Sequence, residues 1–310
     1  MNELINRTGG IEQAREINER VYQSFISYLD TSPRTAETYS RAIKQFMKYL
    51  KNKGVSRPTR DDVISYREQL KADHTANTVQ SYIIAIRLFF AWAEQAGVYP
   101  NIAKHIKGAK ISRDHKKDYL TTDQVKNILK RVDRDTTKGK RNYAILALMV
   151  TCGLRDIEVS RANIEDLRTR GNNTVLYVQG KGKEERADFI RVPAEVEKAI
   201  RDYLTERGTA GKSEPLFTSL SNNNQAGRLT TRSISGVVKE SMKNAGYNSD
   251  RLTAHSLRHT AVTLALIGGQ SLQEAQQFAR HANISTTQIY AHNLEMDNNQ
   301  CSNVVAGAIF

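Results

Sequence analysis

Cysteine is scarce in this 310-residue sequence, with Cys152 and Cys301 the only two. That is too few for the cross-linked framework of a small secreted domain, so a reducing cytoplasmic setting is expected. Long apolar runs are missing as well. The strongest, residues 144–150, falls far short of the ~20 residues a bilayer-spanning helix requires, and no membrane association is expected. The first twenty residues carry charge throughout and lack the apolar centre of a secretory leader. No internal repeat is present. Acidic side chains are in the minority, 33 Asp and Glu against 46 Lys and Arg, for a net charge of +13. Residues 1–110 hold 17 basic against 11 acidic side chains and the remainder 29 against 22, so the excess is spread along the chain. A distributed positive field suits a polyanion such as DNA, because each neutralised phosphate releases condensed counterions. Solubility alone is the competing explanation.

With 39% hydrophobic and 25% charged residues, the chain has the composition of a globular protein, and its length fits two domains with separate cores. Residues 11–100 read as a helical unit. Apolar positions recur at three- and four-residue steps over 34–53 (Tyr39, Ile43, Phe46, Met47, Leu50) and 78–96 (Val79, Ile83, Ile86, Phe90, Ala93), with further helices expected near 11–29 and 61–72. Residues 101–118 lose that period and are rich in lysine, as a basic linker would be. A second domain, 119–310, opens where Thr121 and Gln124 have capping-box spacing. It begins helical, with a buried helix over 142–151. Two β-rich stretches, 174–179 and 187–192, flank Gly180-Lys181-Gly182-Lys183 and predict a hairpin. Helices are expected again at 195–206, 231–244, 256–267, 272–279 and 285–291. The expected fold is mainly α, a helical domain plus a mixed α/β domain with a small antiparallel sheet.

Four sequence features carry chemistry, each with a plainer reading beside it. Arg155 follows Gly153-Leu154 at a helix start, with Glu158 three residues on; a guanidinium steadied by a carboxylate suits a phosphate, and a surface ion pair is the plain alternative. Lys181 stands at a glycine-flanked hairpin tip, able to reach a DNA strand or simply solvated. His255 and Arg258 share a helical face. His255 and His259, four apart, raise a metal-ligand reading, against which Ser256 stands where a zinc-protease helix carries glutamate. Finally, His281 precedes Tyr290 by nine residues, and Tyr290 falls early in a short helix after Ser285-Thr286-Thr287, where packing is the ordinary role of a tyrosine.

In order, Arg155, Lys181, His255-x-x-Arg258, His281 and Tyr290 resemble the active-site signature of the tyrosine recombinase/integrase family, and the likeness covers essentially the whole chain. Its simple two-domain architecture is similar to that of Xer-type members. The chain departs from the pattern at Ala279-Arg280-His281, where the family often has Leu-Gly-His, so a bulky cation stands at the usual glycine. The resemblance implies a core-binding domain over 11–100, a catalytic domain over 119–310, and DNA cleavage and rejoining through a 3′-phosphotyrosyl link. It assigns Tyr290 as nucleophile, Arg155, Arg258 and His281 to the phosphate, His255 as proton acceptor and Lys181 as acid for the leaving 5′ oxygen, with Glu158 in support. No metal or nucleotide cofactor is implied. The implied partners are double-stranded DNA recombination sites and three further copies of the chain in a tetramer, with the apolar tail, 304–310, packing into a neighbour. Arg34, Lys44, Lys48, Arg87 and Arg232 are candidate DNA contacts. A type IB topoisomerase or a non-catalytic DNA-binding protein are the alternatives.

Overall fold

A computed structural model describes residues 17–111, 118–180, 182, 185–208, 210–297 and 300–310. The chain divides into two compact units, Met1–Arg113 and Asp114–Phe310. The first is built on helices α1 (Glu19–Tyr28), α2 (Pro33–Asn52), α3 (Arg60–Asp73) and α4 (Ala76–Gln95). Local chemistry sets their starts. Asn18 Oδ1 accepts from Val21 N, Pro33 sits in the first turn of α2 behind Ser32, and the Asp62 carboxylate accepts from Thr59 N at 2.7 Å. The first helix thus begins at Glu19, and residues 11–16 of the longer helix expected there lie outside the described residues.

The apolar stripes meet in an aromatic core. Phe25 packs edge-on to Phe89 at 5.2 Å, and Phe46 lies against Tyr66 and Phe90. Each such ring removed from water contributes about 1.5–3 kcal/mol, which explains why three- and four-residue spacing dictates the packing here. The segment expected as a linker starts inside this unit. Ile102, Ala103 and Ile106 are buried in the core, while Arg60 and Arg67 donate to the carbonyls of Lys104 (2.6 Å) and Lys107 (2.9 Å). Three apolar residues among lysines are enough to dock it. Arg34, Lys44 and Lys48 are exposed along α2, and Arg87 is exposed on α4.

The second unit contains α5 (Thr122–Lys130), α6 (Thr137–Cys152), α7 (Asp156–Arg161), strands β1 (Leu167–Arg170), β2 (Asn173–Val178) and β3 (Asp188–Arg191), then α8 (Ala194–Arg207), α9 (Thr231–Asn244), α10 (Ala254–Ile267), α11 (Leu272–Ala279), α12 (Ile284–Asp297) and α13 (Cys301–Ile309). Helix α6 is the centre: Ile145, Leu146, Leu148 and Met149 are all buried, so apolar residues surround it rather than forming one stripe. The strands form an antiparallel sheet in the order β1-β2-β3, with Leu176 opposite Leu167 on one side and Ile190 on the other. The sequence predicted only β2 and β3. Strand β1 reads Leu-Arg-Thr-Arg, and three of its four residues are exposed, which leaves no alternating apolar face to recognise. The helices that outrun their predicted spans most are α6, by five residues at its start, and α12, by six at its end. Arg232 is exposed in the first turn of α9. Val304, Val305, Ile309 and Phe310 are exposed on and just after α13. Among the described residues no helix is long and apolar enough to cross a membrane.

Candidate active site

Helix α6 ends at Gly153, whose φ of +61° is left-handed, and a Cβ there would meet the Phe278 ring at 3.1 Å. Only glycine satisfies both conditions, and the turn it makes delivers Arg155 to the N-terminus of α7. Arg155 N donates to Glu158 Oε2 at 2.9 Å, and Arg155 Nη1 donates to Glu158 Oε1 at 2.8 Å. The Glu158 side chain is wholly buried, while that of Arg155 keeps 26% of its surface. Burial alone would raise the Glu158 carboxyl. Arg280, the Arg155 amide and the Arg155 guanidinium outweigh it and hold the group below the ordinary carboxylate range.

Helix α10 carries His255, Arg258 and His259. His255 is exposed in its first turn, and Arg258 is buried. The Arg258 guanidinium donates through Nη1 to the Gly153 carbonyl at 2.5 Å and through Nη2 to the Ala279 carbonyl, tying α10 to the ends of α6 and α11. Burial, followed by the charges of Arg155 and Arg280, lowers its pKa. His259 is enclosed by aromatic rings: that of Tyr119 stacks on it at 5.9 Å, and that of Tyr290 lies 4.5 Å away at 54°. Its Nδ1 faces the Thr263 hydroxyl at 3.3 Å. Among the described residues no three His, Cys, Asp or Glu side chains gather as a metal site.

Between α11 and α12 the chain turns through Arg280, which has φ +52° and ψ +46°. A side chain in this left-handed region costs about 1 kcal/mol relative to glycine, so the departure at this position leaves the expected backbone shape in place at a price. The Arg280 guanidinium folds inward to Glu158 Oε2 (2.9 Å), the Phe278 carbonyl (2.8 Å) and the Gly153 carbonyl (3.3 Å). His281 follows, its Nδ1 2.9 Å from the hydroxyl of the fully buried Thr287. Burial, helped by Arg258, Arg155, His255 and Arg280, pushes the His281 imidazole down to about 4. Tyr290 stands two turns into α12, only 2% exposed, against Val262, Ala275 and Ala279. Burial raises its pKa, and the nearby charges of Arg258 and Arg155 pull the other way.

Arg155, Glu158, Arg258, His281 and Tyr290 are thus gathered from three helices (α7, α10 and α12) and one turn, with His255 close enough to act electrostatically on His281. Lys181 lies outside the described residues, beyond Gly180, whose carbonyl accepts from Arg161 Nη1 at 3.1 Å. His259, Thr287 and Arg280 belong to the same cluster, and spacing assigns none of them a place around Tyr290. In the sequence His259 stands out only through its four-residue spacing from His255, which suggests a metal ligand, and Arg280 only as a departure from a pattern.

The mainly helical fold, and a tyrosine set among two arginines and two histidines, define the class. Residues 118–296 match the phage integrase family, and residues 20–97 match the phage integrase N-terminal SAM-like domain. The chain belongs to the phage integrase family. Among its relatives, tyrosine recombinase XerC of Thermodesulfovibrio yellowstonii is 29% identical, over 84% of this chain and 86% of that protein. Tyrosine recombinase XerC of Caldanaerobacter subterraneus is 27% identical, over 88% of this chain and 82% of its own. The fold is that of XerH site-specific recombinase bound to palindromic difH substrate, with a TM-score of 0.72 and 19% identity over 96% of this chain and 88% of that one. It is also that of a lambda integrase tetramer bound to a Holliday junction, with a TM-score of 0.70 and 16% identity over 93% and 80%.

Proposed function

We propose that this chain is a site-specific tyrosine recombinase in which the Tyr290 hydroxyl attacks a DNA phosphodiester. The observation that carries this reading is the setting of Tyr290, packed against His259 and His281 within the electrostatic reach of Arg155 and Arg258. Negative charge builds on the nonbridging oxygens as the new bond forms, and fixed guanidinium groups in a site shielded from water stabilise it most effectively. Arg155 and Arg258 supply them.

The phenol ordinarily titrates near 10, and burial takes it higher, so Tyr290 gives up its proton as it attacks. His255, exposed and neighbouring His281, accepts that proton. His281 remains neutral near pH 7; in the tautomer whose Nδ1 accepts from the Thr287 hydroxyl, its one N–H is on Nε2, and this is the form that serves a phosphate oxygen. The P–O5′ bond breaks as the P–O bond to Tyr290 forms, and the leaving 5′ oxygen takes a proton from Lys181. The 3′-phosphotyrosyl product retains the bond energy of the diester, so a 5′ hydroxyl of another strand reverses the step without nucleotide hydrolysis.

Arg34, Lys44, Lys48 and Arg87 of the first unit and Arg232 of the second are the proposed backbone and groove contacts, all exposed. Strand exchange joins four copies of the chain on two duplexes, with the uncovered apolar side chains of α13 packing on a neighbouring copy.

A duplex nicked just beyond the cleavage point traps the intermediate, because the short 5′-hydroxyl strand diffuses away. The wild-type protein is expected to form an SDS-resistant adduct on it and Tyr290→Phe none. An adduct with Tyr290→Phe, or none with the wild type on any site it protects from nuclease, refutes the reading.

A further inference from the structure

Arg280 concentrates features that are each unfavourable. Its backbone is left-handed, its side chain is a cation with only 8% of its surface exposed, its Nε is buried with no hydrogen-bond partner among the described residues, and two other guanidinium groups lie nearby. Such features persist where the surroundings hold them in place, and they concentrate at functional sites. Glycine at 280 would relieve the first and remove the rest.

What the side chain holds indicates its use. Glu158 Oε2 receives Arg280 Nη2 and the Arg155 amide, each at 2.9 Å, while Oε1 receives Arg155 Nη1. An isolated carboxylate tends to take a guanidinium by both arms, two parallel N–H bonds to two oxygens. With Oε2 shared by Arg280 and the Arg155 amide, the Arg155 guanidinium meets Glu158 through Nη1 alone, and among the described residues its Nη2 and Nε have no protein acceptor. Arg280 is itself turned into the protein: its Nη1 donates to the Phe278 carbonyl, its Nη2 to Glu158 and the Gly153 carbonyl, and its Nε is buried.

We infer that Arg280 is a positioning residue for the proposed reaction: by occupying the second oxygen of Glu158, it keeps the Arg155 fork open for the DNA phosphate and leaves the site with an extra positive charge. This role rests on the recombinase reading above.

The test measures adduct formation by the full chain on the nicked duplex, at saturating DNA, alongside DNA affinity and thermal stability. Arg280→Gly suits the backbone at this position, and it is expected to slow cleavage about 10–100-fold, the scale of a misplaced catalytic group, with affinity unchanged. Arg280→Lys retains a cation for Oε2 and is expected to recover most of that loss; it also carries the test if the glycine variant does not fold. In a Glu158→Gln background, Arg280→Gly is expected to cost far less, because the two act through one contact. Wild-type cleavage by Arg280→Gly, an undiminished loss beside Glu158→Gln, or a lysine variant as slow as the glycine one overturns the role of Arg280 while the wild-type adduct still stands. Absence of the wild-type adduct removes the recombinase reading, and this role with it.

Discussion

The Thr287 hydroxyl and His281 Nδ1 lie 2.9 Å apart, one from the first turn of α12 and the other from the turn before it. The contact fixes the tilt of the ring. Thr287→Val keeps nearly the same volume and deletes only that partner. Single-turnover cleavage is expected to slow about tenfold, the lower end of what losing a ring-orienting partner costs, with DNA affinity retained. Equal rates in variant and wild type would show that the ring is oriented by packing alone.

Burial and the neighbouring cations hold His281 at about 4 against its ordinary 6.5. The folded protein therefore keeps the ring neutral where the unfolded chain protonates it. Between those two values the unfolded state binds more protons, so stability must fall as pH falls through this window. The urea midpoint is expected to drop between about pH 7 and pH 5, and His281→Asn to flatten that drop. An unchanged slope in the variant would place the acid sensitivity elsewhere.

Arg155 and Arg258 differ in what they leave behind when truncated. Arg155→Ala leaves Glu158 paired with Arg280, whereas Arg258→Ala strips the donor from the Ala279 carbonyl and leaves the Gly153 carbonyl only its 3.3 Å contact with Arg280. Each buried acceptor left unpaired costs about 1–3 kcal/mol, so Arg258→Ala is expected to lower the urea midpoint clearly and Arg155→Ala only slightly. Both are expected to reduce cleavage about 10²–10³-fold, the usual cost of removing one transition-state donor. Equal stabilities, or a large rate difference between the two, would contradict this division.

Thr260 Oγ1 accepts from Leu120 N at 2.9 Å and donates to the Ser256 carbonyl at 2.8 Å, joining the start of the second unit to α10. Thr260→Val leaves a buried N–H without an acceptor and is expected to cost about 1–3 kcal/mol in urea unfolding. Cleavage well below the transition is expected to be unaffected. A rate loss in the fully folded variant would mean that this bond also shapes the catalytic pocket.

Much of the helical framework is legible in the sequence where an apolar stripe faces one core. Helices α9 and α11 begin and end where that spacing puts them, at Thr231–Asn244 and Leu272–Ala279. Helix α6 starts five residues before its apolar pattern because its first turn, Thr-Lys-Gly-Lys-Arg, is polar, although Arg141 is buried there and donates to the Thr218 carbonyl. Strand β1 owes its existence to pairing with β2, a tertiary fact with no local pattern behind it. The convergence of Arg155, Arg258, His281 and Tyr290 follows an ordered motif. The place of His259 does not, since its ring meets a tyrosine 31 positions away through the packing of α10 on α12. Nor does any spacing rule show that the side chain of Arg280 turns inward to Glu158.

Two guanidinium groups, from Arg258 and Arg280, rest on the one carbonyl of Gly153. A single peptide plane thereby anchors a side chain of α10 and one of the turn leading into His281. Two of the pocket's cations are thus referred to one backbone oxygen, so the placing of that peptide bears on both.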